Sequence, residues 1–299
     1  MIKIESVTKV FTDVKSLDRV SFSIPSGTIF GLIGSNGSGK STLMRIMCGV
    51  FGAEEGSVLY DNENIWENTK LKEKIVYLSD EQYFIPHCTL ADMRALYRSL
   101  YDTFSEEIYE SLLGTFGLDP TRKINTFSKG MQKQSAVLLA LSVCPQYLFC
   151  DETFDGLDPV MRQMVKKLLA EAVADRNMTV IIASHNLREI EDICDRVALL
   201  HHGELLFNRE LDDMKLTLQK IQAVFQNRED ADALSVLDPL SVEWRGSMAT
   251  IIARGTKDEL DYEMKRMKTQ FYEFIPLTLE EIFISEMGER GYDCSKVLG

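Results

Sequence analysis

The sequence predicts an α/β fold carrying a smaller α+β appendage. Three observations carry that expectation. The nearly all-apolar run Thr28–Ile33 leads into glycines and then into a helix-patterned segment. Two more short apolar runs, Tyr147–Cys150 and Thr179–Ala183, are separated by a helical stretch, as buried parallel strands require. After Gly203 the pattern changes to short strands alternating with helices.

Each element has its own reason. Ile2–Ser6 and Val20–Ile24 alternate apolar and polar residues and read as strands before Thr28–Ile33. From Thr42 to Gly49, Leu43, Ile46 and Met47 fall on one helical face. Val58–Tyr60 and Ile75–Leu78 add strands. From Thr89 to about Leu118 the period is helical, with Leu90, Met93, Leu96, Tyr97 and Leu100 on one side. Ser135–Val143 is an apolar helix, so a helical insert of about 86–144 interrupts the α/β core. In the last third, Lys220–Phe225, Ser241–Trp244, Ala249–Ala253 and Phe271–Ile275 read as strands, and about 256–268 and 279–287 as helices. The predicted domains are 1–205 and 206–299.

Composition narrows the function. The 299 residues carry 33 Lys and Arg against 46 Asp and Glu, a net charge of −13. Such a chain repels phosphate backbones and anionic lipid at long range, which argues against a nucleic-acid partner. It leaves room for a local anion site built from oriented amides. Residues 210–299 hold 18 of the acidic and 11 of the basic residues, so they carry over half of the negative charge. The six cysteines form no CxxC pair and read as reduced, buried thiols. Met1–Glu5 shows no signal-peptide pattern. The most apolar stretches fall far short of the roughly 20 residues of a membrane-spanning helix. His87, His201 and His202 match no motif and read as loop or surface residues.

Gly34, Ser35, Asn36, Gly37, Ser38, Gly39, Lys40, Ser41 and Thr42 fit GxxxxGK[ST] between a strand and a helix. Glycines let backbone N–H groups curl around phosphate oxygens, and the helix after them aims its positive end at the same oxygens. Lys40 is placed to reach the β- and γ-phosphates of a bound nucleotide, and the Ser41 hydroxyl to ligate Mg²⁺. Tyr147–Glu152 is an apolar strand ending in two acids. A buried strand here sets Asp151 beside the phosphate loop to hold Mg²⁺, with Glu152 next to it to polarise an attacking water. Ser128 and Gly130, opening the apolar helix, form a second anion site. His185 ends another apolar strand, within reach of a γ-phosphate.

These five motifs in this order resemble the ATP-binding-cassette (ABC) ATPases over about residues 1–205: Walker A (Gly34–Thr42), signature (Ser128–Gln132), Walker B (Leu148–Glu152), D-loop (Asp155–Pro159) and switch His185. The resemblance implies a P-loop NTPase (RecA-like) core with an antiparallel β subdomain. It implies adenine stacking on Phe11, which could also be a core residue, and a γ-phosphate contact from Ser128 and Gly130 across a dimer. Glu152 would be the catalytic base, His185 would position the γ-phosphate, and Asp158 would couple the two sites. A second ABC subunit, the same or different, would complete a head-to-tail nucleotide sandwich.

Two departures stand out. The signature usually reads LSGGQ, and here Phe127, Lys129 and Met131 replace three of its residues. In Tyr77–Gln82, alignment on Tyr-Leu puts the Q-loop position, a metal contact in the family, on Asp80; Gln82, two residues later, is the alternative.

The resemblance leaves three function classes: the ATPase subunit of a transporter, a soluble ABC ATPase acting on ribosomes or DNA, and a regulator without turnover. Ribosome-acting members carry two cassettes and DNA-repair members very long coiled coils, neither of which is present. Intact Lys40, Asp151, Glu152 and His185 disfavour a dead regulator. The appendage and the ending Leu277–Phe283 resemble ABC-2 type exporters. That resemblance implies a peptide, antibiotic, lipid or polysaccharide as cargo, with a peptide or antibiotic the first choice, a separate transmembrane permease subunit, and a cytoplasmic position on the inner face of the cell membrane.

Overall fold

The computed structural model describes residues 1–225, 234–267 and 269–289. The chain divides into two compact units, Met1–Asn208 and Arg209–Gly299. In the first unit the strands are β1 (Ile2–Phe11), β2 (Val14–Ile24), β3 (Ile29–Ile33), β4 (Glu55–Tyr60), β5 (Glu63–Asn64), β6 (Ile75–Leu78), β7 (Tyr147–Asp151), β8 (Thr179–Ser184), β9 (Arg196–His201) and β10 (Glu204–Glu210), the last running just past Asn208. The main helices are α1 (Lys40–Met47), α2 (Thr69–Lys72), α3 (Leu90–Leu100), α4 (Glu106–Phe116), α5 (Lys129–Ser142), α6 (Pro159–Arg176) and α7 (Leu187–Glu191).

One sheet has the order β2-β1-β4-β5 and is antiparallel. β1 runs well past the Ser6 end expected from alternation. Ile2 and Ile4 point inward, the register then shifts, and Val7 is the next fully buried residue. Ser6 sits at φ 49°, so a bulge switches which parity faces the core. A strict period of two cannot read through such a switch.

The second sheet has the order β10-β9-β3-β8-β7-β6, with β9, β3, β8, β7 and β6 parallel. β3, β7 and β8 are buried on both faces, which explains their continuous apolar sequences. Register sets where these strands end: Ile33 pairs with Ser184, and Asp151 with Ala183. Gly34, Glu152 and His185 therefore leave the sheet at one edge, and Leu78 opposite Cys150 brings the loop of Asp80 there too. β8 lies between β3 and β7, so Asp151 is one strand further from the phosphate loop than the sequence predicts. His201 is another correction: it closes β9 and is buried, not a surface residue.

The helical insert splits where the sequence predicts a single helical period. The capping box of Thr89 with Asp92 starts α3, and Ser105 caps a separate α4 by accepting the Ile108 N–H at 3.3 Å. α5 is buried all round from Gln134 to Ser142, a core helix rather than an amphipathic one. Five described cysteines are free thiols, four of them buried and Cys144 half-buried; Cys294 lies outside the described residues.

The second unit holds α8 (Leu211–Thr217), β11 (Leu218–Phe225), β12 (Pro239–Arg245), β13 (Met248–Arg254), α9 (Lys257–Arg266), β14 (Thr269–Ile275) and α10 (Leu279–Glu289). Its antiparallel sheet has the order β12-β13-β11-β14, the split βαβ arrangement. Ile221, Ala223, Phe225, Ala249, Ile251 and Ala253 form one buried face against Leu260 and Met264 of α9. The predicted helix 256–268 ends at Arg266, and Lys268 lies outside the described residues.

α10 begins with a reciprocal cap, in which Glu281 accepts from the Thr278 N–H and hydroxyl and Thr278 accepts from the Glu281 N–H. Lys220 of β11 bonds the same carboxylate at 2.5 Å. Burial pushes the Glu281 carboxyl up, but the Lys220 and Thr278 bonds outweigh it, and its pKa lies below the ordinary value. The bonds thus stabilise at neutral pH and are lost as pH falls through the depressed pKa. Glu281→Ala is expected to cost this unit about 1–2 kcal/mol at pH 7 and progressively less as pH falls through the depressed pKa, measured by chemical denaturation.

Candidate functional site

The phosphate loop is shaped by the residues that frame it. Gly39 holds φ 106°, and a Cβ there would lie 2.7 Å from the Ser16 carbonyl, so only glycine lets β2 and the start of α1 approach this closely. Gly34, at φ 153°, would drive a Cβ to 2.3 Å from the Leu200 carbonyl. Both glycines are steric requirements of the turn.

Ser16, Asn36, Gly37, Gly39, Lys40, Ser41, Thr42, Asp80 and Glu152 line one cleft of about 290 Å³. Lys40 is 6% exposed and donates to the Gly34 and Ser35 carbonyls at 2.8 and 3.2 Å. Its ammonium stands 4.0 Å from Glu152 Oε1. Burial pushes the Lys40 pKa down, and the Glu152 and Asp151 carboxylates offset this only in part. The cleft therefore holds a poorly solvated cation, which an incoming polyphosphate would satisfy.

Glu152 comes just after β7, in the left-handed region at φ 46°. Its N–H donates to the Ala183 carbonyl at 3.0 Å, and its carbonyl accepts from Lys133 Nζ at 2.9 Å. Its Oε2 meets His185 Nδ1 at 3.0 Å. Burial raises the Glu152 pKa, and the His185 and Lys40 contacts work against that rise. A base with an elevated pKa accepts a proton more readily near neutral pH. Asp155 completes a cluster in which one ligand atom each from Glu152, Asp155 and His185 lies within 4.8 Å of the others.

Asp151 is 2% exposed. Tyr77 of β6 donates its hydroxyl to Asp151 Oδ2 at 2.8 Å, while Oδ1 is buried without a hydrogen-bond partner. Burial and this carboxylate together push the Tyr77 phenol well above its ordinary value, so it remains a donor. An orphaned carboxylate oxygen fits a divalent cation. Ser41 and Asp80 line the cleft and Asp151 does not, and all three offer oxygen donors of the hard kind that Mg²⁺ takes.

The remaining predicted residues divide. Asp80 lines the cleft, whereas Gln82 folds back to donate its side-chain amide to the Ser79 carbonyl and lies outside the cleft lining. Ser128 caps α5, its hydroxyl accepting the Met131 N–H at 3.2 Å, and Gly130 is close enough to Gly156 that an added Cβ would touch that carbonyl at 3.4 Å. Asp158 caps α6 by accepting from the Val160 and Met161 N–H groups at 3.0 Å, with Pro159 at the first helical position. Neither signature residue nor Asp158 lines the cleft. Phe11 ends β1 at 42% exposure, edge-on to Phe51 with ring centroids 5.6 Å apart. Sequence reasoning did not single out Lys133, Tyr77 or Ser16. Their partners are distant along the chain, and no local pattern marks them.

Comparison with known proteins accords with this geometry. The ABC transporter family matches residues 17–155. The ABC transporter ATP-binding protein YtrB of Bacillus subtilis is 29% identical over 96% of this chain and 98% of its own length. The bacitracin transport ATP-binding protein BcrA of Bacillus licheniformis is 29% identical over 72% of this chain and 71% of its own. An uncharacterized ABC transporter ATP-binding protein of Methanocaldococcus jannaschii is 31% identical over 71% of this chain and 79% of its own. A solved ATP-binding subunit of an ABC transporter superposes with a TM-score of 0.66 at 25% identity, covering 72% of this chain and 92% of that one. With a phosphate loop, two carboxylates and a histidine gathered at one sheet edge, and with relatives of this kind along its length, the chain belongs to the ABC transporter ATP-binding proteins and is an ATPase subunit of that family.

Proposed function

We propose that this subunit powers export of a peptide or antibiotic through a separate membrane-spanning subunit, on whose cytoplasmic side it works. The observation that carries the reading is the Glu152 carboxylate, 3.0 Å from His185 and 4.0 Å from Lys40 in the phosphate cleft. Lys40 and the loop amides of Gly34–Thr42 bind the β- and γ-phosphates. Glu152 accepts the proton of the attacking water, and His185 orients the γ-phosphate. Mg²⁺, held by Ser41 and Asp151 with Asp80 nearby, would neutralise charge on the phosphates. Phe11 offers an exposed ring to adenine. Ser128 and Gly130 serve the site of a second cassette, identical or related. Asp158, the cap of α6, couples one site to the other.

The export assignment draws support from the bacitracin transport relative. Among the described residues, no helix is long and apolar enough to cross a membrane, and in this reading a separate subunit supplies the translocation path. Between the cleft and α3 the chain presents Tyr83 at 81% and Ile85 at 48% exposure, an apolar strip suited to a membrane partner. The test is affinity purification of the tagged full chain from detergent-solubilised membranes of its native host. A polytopic membrane protein is expected in stoichiometric amount, and Tyr83→Asp should lower its recovery at least about fivefold without changing ATP binding. Recovery with ribosomes and without a membrane protein would overturn the reading.

A further inference from the structure

We propose that Lys133 is a positioning residue for Glu152 and that Asp80 is its counter-charge. The inference rests on the assignment of Glu152 as the base. Lys133 lies one turn into α5, the helix that Ser128 caps, and its side chain is only 12% exposed. Its ammonium has two partners, and both belong to the cleft: the Glu152 carbonyl at 2.9 Å and Asp80 Oδ1 at 3.5 Å.

The backbone explains why Glu152 needs such a support. A non-glycine residue at φ 46° is strained by about 1–3 kcal/mol and keeps that conformation only when its surroundings fix it. Glu152 is fixed from two sides. β8 holds its N–H through the Ala183 carbonyl, and Lys133 holds its carbonyl. This twist is what turns the side chain toward His185. Lys133 thus acts on the carboxylate through the main chain, without touching it.

A poorly exposed ammonium needs an anion nearby. Asp80 supplies one, at the position that alignment on Tyr-Leu matches to the family's glutamine. A neutral amide there could still accept a hydrogen bond but would leave the Lys133 ammonium without a counter-charge. The carboxylate at 80 and the lysine at 133 therefore form one device. It joins the loop after β6, the helix of the signature residues and the catalytic carboxylate.

The test compares Lys133→Gln, Lys133→Arg and Asp80→Asn with Glu152→Gln and the parent, all as full chains, by steady-state ATPase assay and ATP calorimetry. Lys133→Gln should lower kcat about tenfold while KM and ATP affinity stay within about twofold, and Lys133→Arg should recover most of the loss. Asp80→Asn, which keeps the lysine, should also lower kcat, and the double variant Lys133→Gln with Asp80→Asn should fall no further than Lys133→Gln alone when each variant is assayed at saturating Mg²⁺, so that any contact of Asp80 with the metal does not enter. If Lys133→Gln does not fold, the Asp80→Asn and Lys133→Arg results decide. An unchanged kcat in Lys133→Gln beside an inactive Glu152→Gln would overturn the proposal and leave the base assignment standing. An active Glu152→Gln would remove the base assignment itself. Equal loss of ATP affinity in the Gln and Arg variants would make Lys133 a purely structural residue.

Discussion

Glu152→Gln is expected to bind ATP as the parent chain does, to turn it over at least about 100-fold more slowly, and to persist as a dimer while ATP is present. The substitution replaces a carboxylate oxygen with an amide of the same shape. The polar contact to His185 can survive, and the left-handed backbone with its bonds to Ala183 and Lys133 is unaffected. The ability to accept a proton disappears. Burial has already shifted this carboxyl toward the range where a base is effective, so its loss falls on the chemical step. Binding depends on groups that remain: Lys40 and the loop amides. With hydrolysis blocked, nothing reopens the closed pair. Size-exclusion chromatography with light scattering would show an ATP-dependent dimer in this variant, and a phosphate-release assay would give its rate. Turnover at the parental rate would sink the assignment.

Lys40→Ala is expected to weaken ATP binding at least about 30-fold, since each charge-assisted bond to a phosphate is worth about 1.5–3 kcal/mol. The loss has two sources. The phosphates lose their ammonium, and the Gly34 and Ser35 carbonyls lose the donor now 2.8 and 3.2 Å away. Lys40→Arg should not rescue binding, because a planar guanidinium cannot replace a compact ammonium in a cradle this enclosed. Titration calorimetry measures the change directly, and affinity equal to that of the parent would refute the cradle.

Much of the site was legible because it is written in contiguous strings. A strand, a glycine loop and a lysine sit within one stretch, and so do an apolar strand and its two terminal acids. Each string carries both its chemistry and its local structure. The features that were not legible depend on register or on pairing across the chain. β8 lies between β3 and β7, and no property of either strand announces the neighbour it will take. The Tyr77 to Asp151 bond joins residues 74 apart. Lys133 looks like any polar residue near a helix start until Asp80 and Glu152 are seen around it. In β1 the bulge at Ser6 hid half of a strand by reversing its alternation. The break between α3 and α4 was concealed in the opposite way, since Ser105 is an ordinary cap amid a period that continues on both sides.

The placement of β6 has a mechanical consequence. It is an edge of the six-stranded sheet, four residues long, and bonded to a neighbour on one side only. Yet its Tyr77 braces Asp151, and the chain leaving it carries Asp80 and then the exposed Tyr83. A short rim strand, bonded on one side only, thus links the outer surface to the carboxylates. A rigid central strand in this place would resist a pull at Tyr83, whereas a short rim strand yields to it. A pull on Tyr83 by the proposed partner would therefore reach Asp151 through one short strand and a single phenol, without first crossing the central strands.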